Sequence, residues 1–320
     1  MMTPDDITGH RVTGGHLMRI LVTGATGWVG SALVPELLGA GHRVVGLARS
    51  DTGAAALTDA GADVVRGDLD DLGLLSAAAA DSDGVVHLAF KHDVAFGGDF
   101  PTAVAADRAA VAALADPLKG TGRPLVIASG LAGHASGAAV TEDDTADPGD
   151  PTAGRMATEQ DVLQLASSGV RSASVRLAPT VHGAGDPGFM ATFVDVARRT
   201  GVSGHVGDGT QHWPAVHVGD AARLFRLACE SAPAGSVLHA AAEPGVPMRE
   251  IAGTIGRGLD LPVRQVPPEH FGGLGTFAGL DVVARSDRTR ALLDWHPAGP
   301  TLTEDLERHY VHAAAGHAHH

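Results

Sequence analysis

The stretch TGATGWVG, residues 23–30, decides the fold class of this chain. It follows the apolar run RILVT at 19–23 and opens a helical pattern. In such a strand–turn–helix setting, Gly24 permits the tight turn, Gly27 lets the backbone approach a pyrophosphate, and Gly30 lets the helix pack closely on the strand. Free N–H groups at the start of the helix favour a negatively charged phosphate. We therefore expect this segment to bind a dinucleotide.

Short β-branched runs alternate with helical patterns along the first half of the chain. After 19–23, further strands are predicted at 43–48, 62–68, 84–90, 123–129 and 171–178. Helices are predicted up to residue 40 and over roughly 101–119 and 154–168. This alternation predicts an α/β fold with a doubly wound parallel sheet of the Rossmann type.

The second half of the chain is less regular. Helices are predicted within 185–201, 212–231 (with Asp220 near the helix start), 246–259 and 301–315, and irregular loops at 134–152 and 262–279. We divide the chain into a dinucleotide-binding domain, mainly 18–183, and a small C-terminal α+β substrate-binding cap, mainly 184–315, intercalated with the sheet. Residues 1–17 are interpreted as an extension or tag remnant ahead of Met18, and residues 316–320 as a His-rich tail.

Composition restricts the function classes. A net charge of −14 argues against a nucleic-acid partner, which requires a basic surface. The single cysteine, Cys229, excludes an internal disulfide framework, and its apolar helical setting favours a buried structural thiol. No apolar run is long enough to span a membrane. We expect a cytoplasmic monomer or homodimer that binds a small-molecule substrate.

The end of the second predicted strand indicates which cofactor is bound. An NAD enzyme usually places an acid there for the ribose hydroxyls, whereas this chain has Arg49, which suits a 2′-phosphate. NADP(H) is therefore preferred over NAD(H), unless Arg49 is a surface residue and Asp51 takes the role of the acid. Asp68, after the third strand, could accept from the adenine amino group or cap the next helix.

Several segments together resemble the short-chain dehydrogenase/reductase superfamily, in its extended or atypical, NAD-dependent epimerase/dehydratase-like branch. They are TGATGWVG, GDLDD (67–71), VVHLAF (85–90), LVIASG (125–130), VRLAPTVHG (175–183), WPAVHVGDAARL (213–224) and ARSDRTRALLDWHP (284–297). The resemblance covers about Met18 to Tyr310 and implies a Rossmann domain with a small C-terminal substrate domain. It also implies that residues after the fourth strand line the cofactor ribose and that residues after the sixth border the nicotinamide.

The predicted cofactor-binding residues combine the glycine motif with these family positions. They are Gly24, Thr26, Gly27, Trp28, Val29, Gly30, Arg49, Ser50, Asp68, Leu69, Leu88, Ala89, Phe90, Ser129, Pro179 and Val181, with Thr180 between the last two.

The chain departs from the family at the catalytic residues. Such enzymes typically use a Ser that polarises the carbonyl, a Tyr that donates the proton, and a Lys that lowers the pKa of the Tyr. Ser129 or its neighbour Gly130 matches the Ser, but Arg155 and Glu159 stand where the Tyr and Lys are expected. The only tyrosine, Tyr310, is followed four residues later by alanine, so the usual pair is absent from the whole chain.

Other residues must then perform the proton chemistry. Arg155 can stabilise an oxyanion but cannot protonate it. Glu159, one helical turn further on, could pair with Arg155 and fix its direction; the alternative is an exposed ion pair within the helix. His92 and His182 follow predicted strands at the edge where such sheets bind ligands, and either can transfer a proton near neutral pH; the alternative for each is a loop histidine bonded to backbone. His92, Trp213 and His217 are candidates for substrate contact, with core packing as the alternative for Trp213. We find no metal-ligand spacing.

Three functions fit these features. The first is an NADP(H)-dependent oxidoreductase, a carbonyl or imine reductase with a non-standard proton donor. The second is a nucleotide-sugar-type epimerase or dehydratase, against which the missing tyrosine counts. The third is a non-catalytic protein that senses NADP(H).

Overall fold

The computed structural model of the protein describes residues 17–134, 138–145 and 153–312. The interpretations of residues 1–16 and 316–320 therefore concern segments outside this range. Within it, no helix is both long and apolar enough to cross a membrane.

A seven-stranded parallel sheet forms the centre of the molecule, and the predicted α/β Rossmann-type fold is confirmed. Its order is β10-β6-β5-β4-β1-β2-β3. The strands are β1 (Arg19–Thr23), β2 (Arg43–Ala48), β3 (Asp63–Arg66), β4 (Gly84–His87), β5 (Pro124–Gly130), β6 (Arg171–Leu177) and β10 (Ser236–Ala240). The strands are all parallel, but the order in which they are added along the sheet reverses between β1 and β4, which is where open α/β sheets bind ligands.

Helices cover both faces of this sheet. They are α1 (Trp28–Gly39), α2 (Asp51–Asp59), α3 (Leu72–Ala80), α4 (His92–Phe96), α5 (Phe100–Ala115), α6 (Ala153–Gln164) and α8 (Val218–Ser231). One apolar core lies between the sheet and helices α1 and α8. A second lies between the sheet and helices α3, α5 and α6. The second half of the chain thus completes the Rossmann layer with β10 and α8.

The remaining elements pack beside the carboxyl edge of the sheet. The strands are β7 (Thr180–His182), β8 (Ser203–Val206), β9 (His212–His217), β11 (Glu243–Pro247) and β12 (Val263–Val266). The helices are α7 (Phe189–Thr200), α9 (Met248–Leu259), α10 (Gly275–Ala278), α11 (Asp287–Leu293) and α12 (Leu302–Asp305), which continues as a π-helical turn at Leu306–Tyr310. These strands form a three-stranded sheet β11-β9-β7 and a pair β12-β8 over a third apolar core.

The structure differs from the prediction at several boundaries. The fourth strand ends at His87, so Leu88–Phe90 form the connection beyond it. The segment 262–279, predicted as an irregular loop, contains β12, a 3-10 turn and α10. Short strands such as β10 were missed because an apolar run of five residues does not distinguish strand from helix by periodicity.

Candidate functional site

The glycine turn has the close backbone contacts that its sequence predicts. Gly24 has φ +65°, and a Cβ there would lie 2.7 Å from the Ala89 nitrogen. A Cβ at Gly30 would collide with the Gly24 carbonyl oxygen. Gly27 is the N-cap of α1 and provides no side-chain cap, so the first N–H groups of the helix remain available for a phosphate. The backbone around the turn therefore fits a pyrophosphate.

Trp28 connects this turn to the second half of the chain. Its indole N–H donates to the Val181 carbonyl at 2.7 Å. A Cβ added at Gly183 would lie 3.3 Å from the indole ring, so the ring packs against this backbone. Two residues predicted to contact the cofactor, 153 positions apart, are thereby held together. Pro179 lies in the connection between β6 and β7.

The residues predicted to bind the adenosine end lie after β2 and β3. Arg49 is exposed and makes no hydrogen bond or ion pair with the described residues. Asp51, the alternative ribose ligand, is bound by Arg66 at 2.6 Å. Ser50 caps α2 by accepting from the Gly53 N–H at 3.1 Å.

Asp68 does not cap the following helix. Asp71 takes that position and accepts from the Leu74 N–H at 3.1 Å. Asp68 is exposed and accepts from the Asp70 N–H at 2.8 Å, while Leu69 is buried. The helix-capping alternative for Asp68 was therefore wrong, and its carboxylate faces solvent beside the end of β3.

Arg155, Ser129 and Phe90 meet at the carboxyl ends of β4 and β5. The Arg155 guanidinium donates to the Ala128 carbonyl at 2.9 Å and lies 4.2 Å from the centre of the Phe90 ring. Burial lowers the pKa of Arg155, while the nearby carboxylates of Asp107 and Glu159 oppose this shift. The Ser129 hydroxyl is buried and has no hydrogen-bond partner among the described residues. The cation is thus bound to the carbonyl of the residue that precedes this buried hydroxyl on β5, an arrangement that suits an oxygen that gains negative charge.

The predicted Arg155–Glu159 ion pair is wrong. Glu159 instead accepts from the Arg176 Nε at 3.0 Å, and both side chains are 2% exposed. Arg176 also donates to the Asp144 carbonyl at 2.9 Å. Arg176 is buried on β6 and reaches Glu159 on α6, so this ion pair joins the helix to the sheet.

His92 starts α4, close to Phe90. Their rings are 5.2 Å apart in an edge-on arrangement. Partial burial and the Arg155 guanidinium lower the pKa of His92, while Asp93 and Asp107 oppose the shift. At neutral pH the imidazole is therefore mainly unprotonated and ready to accept a proton.

His182 and His217 lie deeper, beneath the C-terminal helix. His182 is fully buried, and its Nδ1 donates to Asp305 at 2.7 Å. The His217 ring is 5.7 Å from the His182 ring, and its Nδ1 accepts from the Gly219 N–H to cap α8. Burial lowers the pKa of His182. The structure thus groups these two histidines with Asp305 and not with Ser129 and Arg155.

Trp213 and Tyr310 also lie in the interior. Trp213 is 1% exposed and packs against Phe189 and Phe193, which is the core position considered as its alternative. The Tyr310 hydroxyl donates to Asp186 at 2.8 Å and accepts from the Gly183 N–H at 3.1 Å. The only tyrosine therefore anchors the C-terminus of the fold.

Two buried polar groups near the site were missed. His134, in the 3-10 turn after β5, has no hydrogen-bond partner among the described residues at either ring nitrogen. Burial and the nearby Arg176 charge lower its pKa to about 4. His87 and Asp107 form a second buried group, with Nε2 and Oδ1 3.1 Å apart. Single polar residues in apolar stretches carry no sequence signal of a shared site, because only the fold brings them together. Within the described residues, no cluster of three or more His, Cys, Asp or Glu side chains has the arrangement of a metal site.

Comparisons with known proteins identify the family. The model of the NAD dependent epimerase/dehydratase family matches residues 20–241. The chain belongs to this family. An uncharacterized protein of Schizosaccharomyces pombe is 44% identical over 293 residues, covering 90% of this chain and 98% of that protein.

Solved structures of the family share the fold. A dTDP-glucose 4,6-dehydratase from Streptomyces venezuelae superimposes with a TM-score of 0.75 at 22% identity, covering 92% of this chain and 96% of that one. A UDP-glucose 4-epimerase from Thermotoga maritima gives a TM-score of 0.75 at 19% identity, covering 92% and 97%. At these identities the similarity shows a shared fold and nothing about the reaction.

The glycine turn gives a test with a matched pair of variants. A Cβ at Gly27 approaches the Gly24 oxygen only to 3.2 Å, so we expect Gly27→Ala to fold but to bind NAD(P)+ about tenfold or more weakly, because the methyl occupies phosphate space. Gly30→Ala, which collides with backbone, should lose thermal stability. Calorimetric titration and thermal melting separate the two outcomes. Parental affinity in Gly27→Ala would contradict the assignment of the turn.

The buried His134 predicts an acid-sensitive stability. Its folded pKa of about 4 is below the ordinary 6.5, so the unfolded chain binds a proton first, and stability falls as pH drops from about 6.5 towards 4. Over that pH range, we expect the free energy of unfolding of His134→Gln to fall by roughly 1–3 kcal/mol less than that of the parent protein. Urea denaturation at each pH measures this, with the exposed His296→Gln as control. Parallel pH profiles for the parent and His134→Gln would contradict the assignment.

Proposed function

We propose that the protein is a nicotinamide-dependent enzyme of the epimerase/dehydratase type that acts on an alcohol carbon of a sugar-like substrate. The observation that carries this proposal is the Arg155 guanidinium, held by the Ala128 carbonyl and the Phe90 ring, next along β5 to the buried Ser129 hydroxyl, which has no partner among the described residues. Ser129 and Arg155 would bind the substrate oxygen in place of the usual Ser and Tyr. The glycine turn would hold the dinucleotide next to them.

His92 is proposed as the proton acceptor. A nicotinamide cofactor held at the glycine turn would accept the hydride that leaves the alcohol carbon and would later return it. The alcohol proton must leave at the same time, and the low pKa of His92 keeps its imidazole able to accept it. Arg155 stabilises the oxygen while it carries negative charge, and its guanidinium keeps its own proton. A neutral histidine therefore favours an oxidative first step over a reductive one.

The substrate class follows from the family. The dehydratase and the epimerase with the same fold act, by their names, on dTDP-glucose and UDP-glucose. We therefore propose a nucleotide sugar as the substrate. The free Arg49 guanidinium supports a second candidate, an NADP(H)-linked carbonyl or imine reductase, because a cation at the end of β2 suits a 2′-phosphate.

Arg49 leads to a test of cofactor preference. Since Arg49 makes no internal ion pair with the described residues, we expect NADP+ to bind more tightly than NAD+. We expect Arg49→Ala to weaken NADP+ binding about tenfold or more and to leave NAD+ binding nearly unchanged. Calorimetry with both cofactors measures this, and Arg43→Ala on the same strand is the control. Equal affinities in the parent protein would refute the preference.

The reaction itself is tested with a panel of nucleotide sugars and a panel of ketones and imines. An epimerase or dehydratase converts the sugar without net change in nicotinamide absorbance, whereas a reductase consumes NADPH in step with product. With an active substrate, we expect Arg155→Met to lower kcat on the order of 10²-fold and His92→Gln by about 10²–10⁴-fold. We expect the parent to lose activity as pH falls through the lowered pKa of His92.

Controls separate chemistry from folding in this experiment. The partly exposed His212→Gln should keep parental activity and pH dependence. In His92→Gln the loss of activity at acid pH should disappear from the residual rate, because no imidazole remains to be protonated at that position. A His92→Gln enzyme with full activity and an unchanged acid limb would remove His92 from the reaction.

A further inference from the structure

A series of buried hydrogen bonds connects strands β1 and β4 with helix α5 next to the proposed site. The Ala89 N–H donates to the Thr23 hydroxyl oxygen at 3.4 Å, Thr23 is hydrogen-bonded to the His87 Nδ1 at 2.8 Å, and the His87 Nε2 lies 3.1 Å from Asp107. A carboxylate only accepts, so the His87 Nε2 carries the hydrogen and Nδ1 accepts from the Thr23 hydroxyl. The three side chains are at most 5% exposed.

This series of hydrogen bonds connects Ala89, at the exit of β4, with Asp107 on helix α5. Thr23 and His87 are register partners on the parallel strands β1 and β4, where the strand order of the sheet reverses. Ala89 belongs to the segment proposed to line the cofactor, and its nitrogen touches the glycine turn. The arrangement has the order of a hydroxyl–imidazole–carboxylate triad, but Thr23 is fully buried, so it positions neighbouring groups and does not act as a nucleophile.

Asp107 lies against the helix that carries Arg155. A Cβ added at Gly154 would lie 3.1 Å from the Val104 methyl groups, so the start of α6 packs directly on α5. Asp107 is one turn beyond Val104 on α5, and Arg155 directly follows Gly154. Glu159 is paired with Arg176, and among the described residues Asp107 is the other carboxylate close enough to act on the Arg155 charge. The nearby Arg108 is exposed and pairs with Asp161 at 2.5 Å.

We infer that Asp107 is a positioning residue that supplies the counter-charge of Arg155, and that His87 and Thr23 connect it to the cofactor-lining backbone at Ala89. A buried guanidinium is stable only when a carboxylate or carbonyl oxygens balance it. The Ala128 carbonyl and the Phe90 ring orient the group, and Asp107 supplies the opposite charge. Asp107 also attracts protonated His92. The inference rests on the proposed role of Arg155, but its test requires no substrate.

The first test is a double-variant cycle on stability. Asp107→Asn keeps an acceptor for His87 and removes the charge, and Arg155→Met removes the cation. Each should lower the urea midpoint, because each leaves one buried charge unbalanced, and the double variant should lose less than the sum of the two losses. If Asp107→Asn does not fold, Asp107→Asn/Arg155→Met should fold again. Additive losses, or a double variant that stays unfolded, would overturn the inference.

The second test reads the charge itself. We expect Asp107→Asn to lower the pKa of His92 by roughly half a unit, measured by NMR titration of the imidazole, because the attraction that opposes the shift is lost. Asp161→Asn carries the same charge change on the neighbouring exposed pair and should leave His92 within error of the parent. A purely structural Asp107 would leave the titration unchanged, and that result would overturn the inference. Both tests remain valid if every nucleotide sugar proves inactive, so failure of the proposed function is distinguishable.

Discussion

The close approach of two backbones at the carboxyl edge of the central sheet is the constraint on which the site depends. Gly24, at φ +65°, leaves no room for a side chain beside the Ala89 nitrogen. This contact holds the exits of β1 and β4 together and opens the start of α1 towards a phosphate. Trp28, in the same turn, then reaches the Val181 carbonyl and sets the position of β7. The glycine turn, the segment Leu88–Phe90 and strand β7 are therefore parts of one packed arrangement.

Two arginines near α6, Arg155 and Arg176, have different electrostatic roles. Arg176 and Glu159 form a buried ion pair that joins the helix to β6. Desolvation makes such a pair a poor source of net stability, but removing one partner is costly, so it specifies where α6 lies. With Glu159 engaged, Arg155 is free to turn towards Ala128 and Phe90. Helix α6 thus carries a fixed cation at Arg155 and an anchor to the sheet at Glu159.

Prediction from sequence succeeded for features that are specified by a short stretch of neighbouring residues. The glycine turn and the first six strands of the sheet depend on short segments whose spacing already encodes a tight turn or a buried strand. The seventh strand, β10, was missed because a run of five residues with only three apolar side chains is compatible with strand or helix. The Arg155–Glu159 pair was wrong because helical spacing describes neighbours on one helix and gives no information on what β6 presents to it. His87 and Asp107 were missed for the same reason, since they are 20 residues apart and share no motif.

The sequence by itself determined the fold class, the dinucleotide turn and the absence of the Tyr–Lys pair, because these are local or can be read by inspection of residue types. Only the tertiary structure decided which charges meet. Arg176 reaches Glu159, His182 is held by Asp305 in the interior, and Trp213 packs in the core. These partnerships depend on how separate elements pack and on the free-energy cost of burying an unbalanced charge or an unpaired polar group. That cost is set by the three-dimensional surroundings, which residue spacing along one chain does not specify.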